Sequence, residues 1–241
     1  MEININKNKG DFNMTKVLVI QAHPHTKESL SLTVGKQFID TYRKKHPDDK
    51  IIIRDLYADN GVPPLNDLTM EAWRKKKFEE PLSSGEEELL EAHKDWLNEF
   101  MTADKYIFIN PMYNHFLPAE LKQYLDLTAV AHQTFKYTPK GPVGLLKNKK
   151  AIHIQASGSV YHQEGKWGII KFAFRKLFHI SSPKSCALMD LGDLYLVNML
   201  KFYGINNIDN IYIEGADANP NQRETILAQA QKEANQKALK F

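Results

Sequence analysis

The chain has 241 residues, of which 42% are hydrophobic and 25% are charged, a balance that suits one large globular domain and argues against disorder. A single cysteine excludes a disulfide framework and a multi-cysteine zinc site. The charge balance, 32 Lys and Arg against 29 Asp and Glu, is far from that of a nucleic-acid binder. Because no apolar run approaches the roughly 20 residues of a membrane span and the N-terminus lacks a signal peptide, we expect a soluble, cytoplasmic protein.

The chain begins with a polar segment that is followed by a βαβ unit. Residues 1–13 show no periodicity, so we expect a flexible extension ahead of a single domain that spans residues 14–241. Lys16–Gln21 is a short apolar run, typical of a strand that is buried on both faces of a parallel sheet. Ser29 then opens a helix that ends near His46, and a second strand follows at Lys50–Asp55.

The rest of the chain continues this alternation. An irregular excursion at 56–81, which could hold one short helix, precedes a long helix whose start is marked by a capping box of Ser83 with Glu86. Further strands are predicted at 105–110, 150–156 and 210–214, and further helices at 119–131, 194–203 and 221–240, with a loop at 137–144. The pattern predicts an α/β fold: a flavodoxin-like, doubly wound, five-stranded parallel sheet in the order 2-1-3-4-5, with helices on both faces.

In such a sheet, ligands bind outside the carboxyl ends of the strands, where the winding reverses between strands one and three. The loop after strand one has no glycine-rich nucleotide fingerprint, but a helix N-terminus and the hydroxyls of Ser29 and Ser31 could hold a single phosphate. The alternative is that Ser29 only caps the helix. His23 and His25 lack accompanying cysteine or carboxylate ligands, so we expect no metal site there.

Two further loops should meet this first one. Pro111 ends strand three, which would leave the following N–H groups free to bond a ligand, and Tyr113 and Asn114 add an aromatic ring and an amide. After strand four, the small residues at 156–159 let a planar ligand approach the backbone. Each loop alone could be an ordinary turn, but three loops at three suitable strand ends indicate one ligand site.

A family resemblance rests on the central block of the chain. The block comprises Pro111-Met-Tyr-Asn114, Leu121-Lys122, Tyr124-Leu-Asp-Leu127, Thr134-Phe-Lys-Tyr-Thr138, Gly141-Pro142, Gly144-Leu145 and Lys149-Lys-Ala-Ile152. With weaker matches on either side, over about residues 14–238, the chain resembles the FMN-dependent NADH azoreductases, also described as NADH:quinone oxidoreductases.

The resemblance implies an enzyme that moves two electrons from NADH or NADPH through bound FMN to quinones and azo compounds in a ping-pong cycle. It implies a homodimer with shared sites, whose substrate pockets are lined by Phe135 and Tyr137. It places the FMN phosphate at the first loop and the isoalloxazine ring at the second and third. The FMN-binding residues that follow are His23, Ser29, Leu30, Ser31, Pro111, Met112, Tyr113, Asn114, His115, Ala156, Ser157, Gly158 and Ser159.

No side chain is assigned as an obligatory acid or base. His162 is a candidate for the substrate pocket and could protonate a product, but water could do the same, and His162 could instead be a solvated loop residue. A flavodoxin-type electron carrier that binds a protein partner is the alternative function, although such carriers are usually short and acidic. A serine hydrolase is disfavoured because the chain has no Gly-x-Ser-x-Gly elbow.

One segment departs from the family that the chain resembles. Residues 166–185 look like an insertion, with five Lys or Arg and no acidic residue. Basic residues between large apolar ones could lie on a membrane surface. We expect instead a lid or a dimer contact whose aromatic side chains cover the pocket.

Overall fold

The computed structural model describes residues 14–24, 29–59, 61–162 and 189–241. The predicted extension at 1–13, the predicted insertion at about 166–185 and His25 lie outside these ranges. The helices are α1 (Leu30–Lys45), α2 (Asp67–Lys77), α3 (Ser84–Thr102), α4 (Ala119–Thr128), α5 (Leu191–Tyr203) and α6 (Arg223–Ala238). The strands are β1 (Lys16–Gln21), β2 (Lys50–Asp55), β3 (Lys105–Pro111), β4 (Phe135–Thr138), β5 (Gly141–Gly144), β6 (Lys150–Ser157) and β7 (Asn207–Glu214).

Five strands form one parallel sheet in the order β2-β1-β3-β6-β7. Since β6 and β7 are the fourth and fifth strands of this sheet along the chain, the predicted order 2-1-3-4-5 is confirmed. The register pairs Gln21 with Ile109 and Pro111 with Ala156. The carboxyl ends of β1, β3 and β6 therefore reach the same edge of the sheet.

The sheet separates two hydrophobic cores. Alternate residues of a strand point to opposite faces, so Leu18 and Ile20 of β1 pack with α3, α4 and α5, whereas Val17 and Val19 pack with α1 and α6. All four are completely buried. This two-sided burial explains why the central strands consist of continuous apolar runs.

Local signals set the ends of most helices. Ser83 and Glu86 form the predicted capping box at the start of α3, and Asn66 and Thr69 form another at the start of α2, the short helix expected within the excursion. Gly204 ends α5 in a left-handed conformation with φ 101°. In the described part of the chain, no helix is both long and apolar enough to cross a membrane.

The segment predicted as a loop at 137–144 is instead part of a hairpin, in which β4 and β5 pair in antiparallel fashion. Each strand has only four residues, and the Pro and Gly residues at 139–144 are turn signals, so the sequence favoured a loop there. Other boundaries shift by a few residues: α4 ends at Thr128, α5 begins at Leu191, and β7 begins at Asn207.

Candidate functional site

The loops that follow β1, β3, β6 and β7 surround a cavity of about 190 Å³. Three of these loops are the ones that the sequence predicts to converge, and the fourth was not foreseen. The lining residues are His23, Ser29, Leu30, Ser31, Pro111, Met112, Tyr113, Ala156, Ser157, Gly158, Ala216, Asp217 and Arg223.

A larger cavity, of about 670 Å³, lies between α2, α3 and the residues that follow α4. Trp73, Leu90 and Leu97 supply much of its apolar wall, and Lys76 and Lys94 lie at the same cavity. No residue of the four strand-end loops lines it. Because the ligand crevice of an open α/β sheet lies at the strand ends, the smaller cavity is the candidate site.

Ser29 and Ser31 place two hydroxyls where the cavity meets the N-terminus of α1. Both residues are buried, and their Oγ atoms lie 3.3 Å apart. Ser29 is also the N-cap, since its Oγ accepts a hydrogen bond from the N–H of Leu32 at 3.2 Å. One hydroxyl proton of the pair serves the contact between them, and the other can be donated to a ligand. The first turn of α1 contains no acidic residue that would oppose an anion.

The loop after β3 uses more of its N–H groups internally than the sequence suggested. Pro111 was expected to end the ladder, but the N–H of Met112 donates to the carbonyl of Ala156 at 2.7 Å, and Tyr113 and Phe116 exchange two backbone hydrogen bonds. The expectation was wrong because a proline lacks only its own N–H, so the strand pairing resumes one residue later.

Asn114 and His115 supply the remaining donors of this loop. Both have a left-handed backbone, with φ of 49° and 65°, and within the described residues their N–H groups donate to no other residue. Their side chains are exposed. Backbone strain of this kind is often found where a loop binds a ligand.

The loop after β6 is held against the unforeseen loop after β7. The carbonyl of Gly158 accepts hydrogen bonds from the N–H groups of Asp217 and Ala218 at 3.2 and 3.0 Å. A Cβ atom at Gly158 would lie 2.5 Å from Oδ2 of Asp217, so any larger residue here would force the Asp217 side chain to move. At the start of α6, Arg223 brings a guanidinium to the same cavity as Ser29 and Ser31. The sequence did offer a signal for Arg223, because this residue stands at the start of the helix that follows the last strand.

Some predicted site residues lie elsewhere. Asn114, His115 and Ser159 belong to the converging loops but do not line the cavity. Phe135 and Tyr137 lie on the hairpin, where Phe135 packs against Phe202 with ring centroids 4.3 Å apart. Phe202 is near the C-terminal end of α5, whereas the N-terminal end of that helix contacts the β3 loop. At 1.5 Å per residue, the length of α5 puts the hairpin about 15 Å from that loop.

His162 is neither in the cavity nor a solvated loop residue. Its ring stacks on Tyr212 at 3.7 Å, and its Nδ1 lies 2.8 Å from Oε1 of the buried Glu214. Burial would lower the pKa of His162, but the hydrogen bond and charge of Glu214 outweigh it and raise the pKa. Together these groups line a separate cavity of about 210 Å³ beside α6.

The chemistry of the main cavity differs between its two ends. At α1, two hydroxyls, helix N–H groups and Arg223 suit an anionic group such as a phosphate. At β3 and β6, the small residues Ala156, Ser157 and Gly158 leave room for the edge of a flat polar ring, and the N–H groups of Asn114 and His115 lie on the same β3 loop. This donor set fits a phosphorylated cofactor with a planar head. Among the described residues there is no cluster of His, Cys, Asp and Glu that could hold a metal ion.

Comparison with known proteins agrees with this geometry. A family model described as a flavodoxin-like fold matches residues 15–238. FMN-dependent NADH:quinone oxidoreductase 2 of Lactiplantibacillus plantarum is 52% identical over 229 residues, covering 95% of this chain and 100% of that protein. FMN-dependent NADH:quinone oxidoreductase 1 of Lactococcus lactis subsp. lactis is 40% identical over 221 residues, covering 90% and 95%. The solved structure of an FMN-dependent NADH-azoreductase from Bacillus anthracis in complex with FMN has a TM-score of 0.79 at 29% identity, covering 93% and 98%. The chain therefore belongs to the flavodoxin-like family of FMN-dependent NADH:quinone oxidoreductases.

Proposed function

We propose that this protein transfers two electrons from NADH to quinones and azo compounds through bound FMN in a ping-pong cycle. The observation that carries the proposal is the meeting of the loops after β1, β3 and β6 in one cavity, with phosphate donors at one end and ring-edge donors at the other. The names of the relatives that are 52% and 40% identical support the same chemistry.

The phosphate of FMN would be held at the N-terminus of α1. Ser29 and Ser31 would donate hydroxyl protons, and the helix N–H groups and Arg223 would supply positive potential. His23 is buried at the same end and lines the cavity. These groups would fix the position of the cofactor, because charge-assisted hydrogen bonds are short and directional.

The isoalloxazine ring would lie against the loops after β3 and β6. The N–H groups of Asn114 and His115, which lie on the β3 loop outside the lining of the cavity, would meet one polar edge of the ring, and those of Gly158 and Ser159 would meet the other. Bound FMN would supply the chemistry, accepting a hydride from NADH and passing two electrons to the second substrate. Fixed N–H donors would stabilise the negative charge that builds up during this transfer, since they need no reorganisation.

The shape of the site supports a ping-pong order. If one face of the ring lay against the loops after β3 and β6, a single face would remain for both NADH and the acceptor, so the two substrates would use it in turn. We assign no side chain as an acid or base, because the candidate that the sequence offered, His162, lies 2.8 Å from Glu214 and lines another cavity.

We also propose that the protein acts as a homodimer in which the hairpin of one subunit covers the site of the other. Tyr137 is 71% exposed and Val143 is 39% exposed, which is unusual for large apolar side chains and favours a contact. Since the hairpin lies away from the cavity of its own chain, Phe135 and Tyr137 could contribute only to a partner's pocket. Analytical ultracentrifugation should show a dimer; a monomer with full activity would contradict this part of the proposal.

The central experiment is anaerobic reduction of the protein reconstituted with FMN. The yellow absorbance should bleach when NADH is added and return when menadione is added, and initial rates at several fixed menadione concentrations should give parallel double-reciprocal plots. Protein that binds FMN but is not reduced by NADH would favour the electron carrier. Protein that does not bind FMN would overturn both, and intersecting plots would overturn the ping-pong order alone.

A further inference from the structure

His153 is a buried polar residue that the chemistry above does not use. It lies at the centre of β6, completely buried, on the face that packs against α5. Its Nδ1 is 2.8 Å from Oδ1 of Asp193, in the first turn of α5, and its Nε2 is 2.9 Å from Oδ1 of Asn110, near the end of β3. Neither ring nitrogen faces the cavity, so any role in binding must act through these two partners.

The neighbours of Asn110 fix the proton on Nε2 of His153. Nδ2 of Asn110 donates to the carbonyl of Pro111 at 2.9 Å, and a carbonyl oxygen can only accept. Asn110 therefore directs its own acceptor, Oδ1, at Nε2 of His153, which must carry a proton. Nδ1 makes one further hydrogen bond with the carboxyl group of Asp193, so the ring cannot turn without losing both partners.

Asp193 is held by a second partner besides His153. Burial alone would raise the pKa of Asp193, but hydrogen bonds from His153 and from the Tyr212 hydroxyl, at 2.9 Å, outweigh it and lower the pKa. The adjacent acid is Asp190, whose pKa is raised by burial and whose Oδ1 caps the N–H of Asp193 at 2.9 Å. The other charged groups nearby are His162, 3.8 Å from Asp190, and Glu214, its partner.

His153 and its two partners connect to the loops after β3 and β6, which would hold the ring of the cofactor. On one side, Asn110 holds the carbonyl of Pro111, and Pro111 lines the cavity. On the other side, Gly192 precedes Asp193, and its N–H donates to the carbonyl of His115 at 3.2 Å. The β6 loop is tied in as well, because Gln155, next to Ala156, donates to Asp190.

We propose that His153, held between Asp193 and Asn110, is a positioning residue that fixes the β3 loop against α5 in the geometry that binds FMN. This inference rests on the proposed function for its ligand. The role is indirect: His153 orders the backbone of the loop, and the loop contacts the cofactor.

The variant His153→Leu follows the chain of contacts most directly. It keeps a side chain of comparable bulk in the buried space and removes the N–H that Nε2 presents to Oδ1 of Asn110. The Asn110 amide is then no longer held and can rotate, which releases the carbonyl of Pro111.

The test measures FMN binding by flavin fluorescence quenching and the melting temperature of the FMN-free protein. We expect His153→Leu to bind FMN about tenfold more weakly, the change expected for the loss of one hydrogen bond. Tyr212→Phe is the matched control, because it removes a donor to Asp193 and leaves the link from His153 to Pro111; it should lower the melting temperature and keep FMN affinity. Unchanged affinity in His153→Leu, or equal loss in both variants, would overturn the proposal.

A second measurement needs no variant to fold. Heteronuclear NMR of the histidine rings in the FMN-free wild-type protein should show His153 with a proton on Nε2, and an Nε2 without a proton would overturn the proposal. This readout does not depend on FMN. Wild-type protein that fails to bind FMN would therefore refute the proposed function, whereas normal FMN binding with an unprotonated Nε2 in His153 would refute only this inference.

Discussion

The contact between α5 and the β3 loop should be very sensitive to one added methyl group. Gly192 packs so closely that a Cβ atom would lie 2.8 Å from the backbone nitrogen of Leu117 and from the carbonyl carbon of Phe116. Comfortable separations are about 3.5–4.0 Å. Since backbone atoms cannot rotate away, Gly192→Ala must push α5 off the loop, and the hydrogen bond from Gly192 to His115 weakens with it.

The cost of this substitution can be set against a matched glycine. Overpacking costs about 1–3 kcal/mol and the weakened hydrogen bond about 0.5–1.5 kcal/mol, while alanine regains about 1 kcal/mol of helix propensity. The net loss of about 0.5–3.5 kcal/mol lowers the melting temperature by about 1–14 °C in a domain of this size. Gly85 is likewise the second residue of its helix, α3, but a Cβ there meets nothing within 4 Å.

We therefore expect Gly192→Ala to melt at a lower temperature and to bind FMN more weakly, whereas Gly85→Ala melts at the same or a slightly higher temperature with normal FMN affinity. Differential scanning calorimetry of the FMN-free proteins and fluorescence titration with FMN would measure both effects. If the two variants behave alike, the close packing of α5 on the loop does not control the site, and the reasoning fails.

Three further predictions concern other parts of the molecule. Ser31→Ala should weaken FMN binding about tenfold, while Thr33→Ala, whose hydroxyl bonds only the backbone of Ser29, should not; equal titration curves would contradict the phosphate assignment. Tyr137→Ala should change KM for quinones more than FMN affinity, and equal losses would count against a role in the pocket. The pKa of Glu86 is lowered to about 2 by Lys75 and the N–H of Ser83, below its unfolded value of about 4.3. Its contribution is present above the unfolded pKa and is lost as pH falls from about 5 towards 2; urea unfolding across this range should show a weaker pH dependence in Glu86→Gln, and an unchanged slope would refute it.

Most of the fold could be predicted because its signals are local. Continuous apolar runs such as Lys16–Gln21 indicate strands buried on both faces, and the pairing of Ser83 with Glu86 marks a helix start wherever it occurs. The strand order follows from the alternation of strands and helices, since right-handed crossovers leave few topologies. The convergence of three loops follows in turn, because parallel strands end at one edge of the sheet.

The parts that escaped prediction depend on partners distant in the chain. The N–H of Met112 was expected to be free, but its acceptor, Ala156, lies on another strand. Asp217 and Arg223 reach the cavity only because β7 pairs beside β6, which brings the next loop to the same edge. The hairpin was missed because its strands are only four residues long and lie among proline and glycine turn signals, whereas tertiary packing, such as that of Phe135 on Phe202, holds it in place.

The sequence by itself determined the fold class, the strand order and the three loops that meet at the candidate site, because periodicity, caps and strand ends are properties of neighbouring residues. The tertiary structure decided which donors remain for a ligand, which charge stands beside the phosphate donors, and that His153 lies between Asn110 and Asp193. Hydrogen-bond partners and buried charge pairs depend on the register of distant strands and on the packing of helices across them. Neither the register nor the packing can be inferred from the pattern of neighbouring residues.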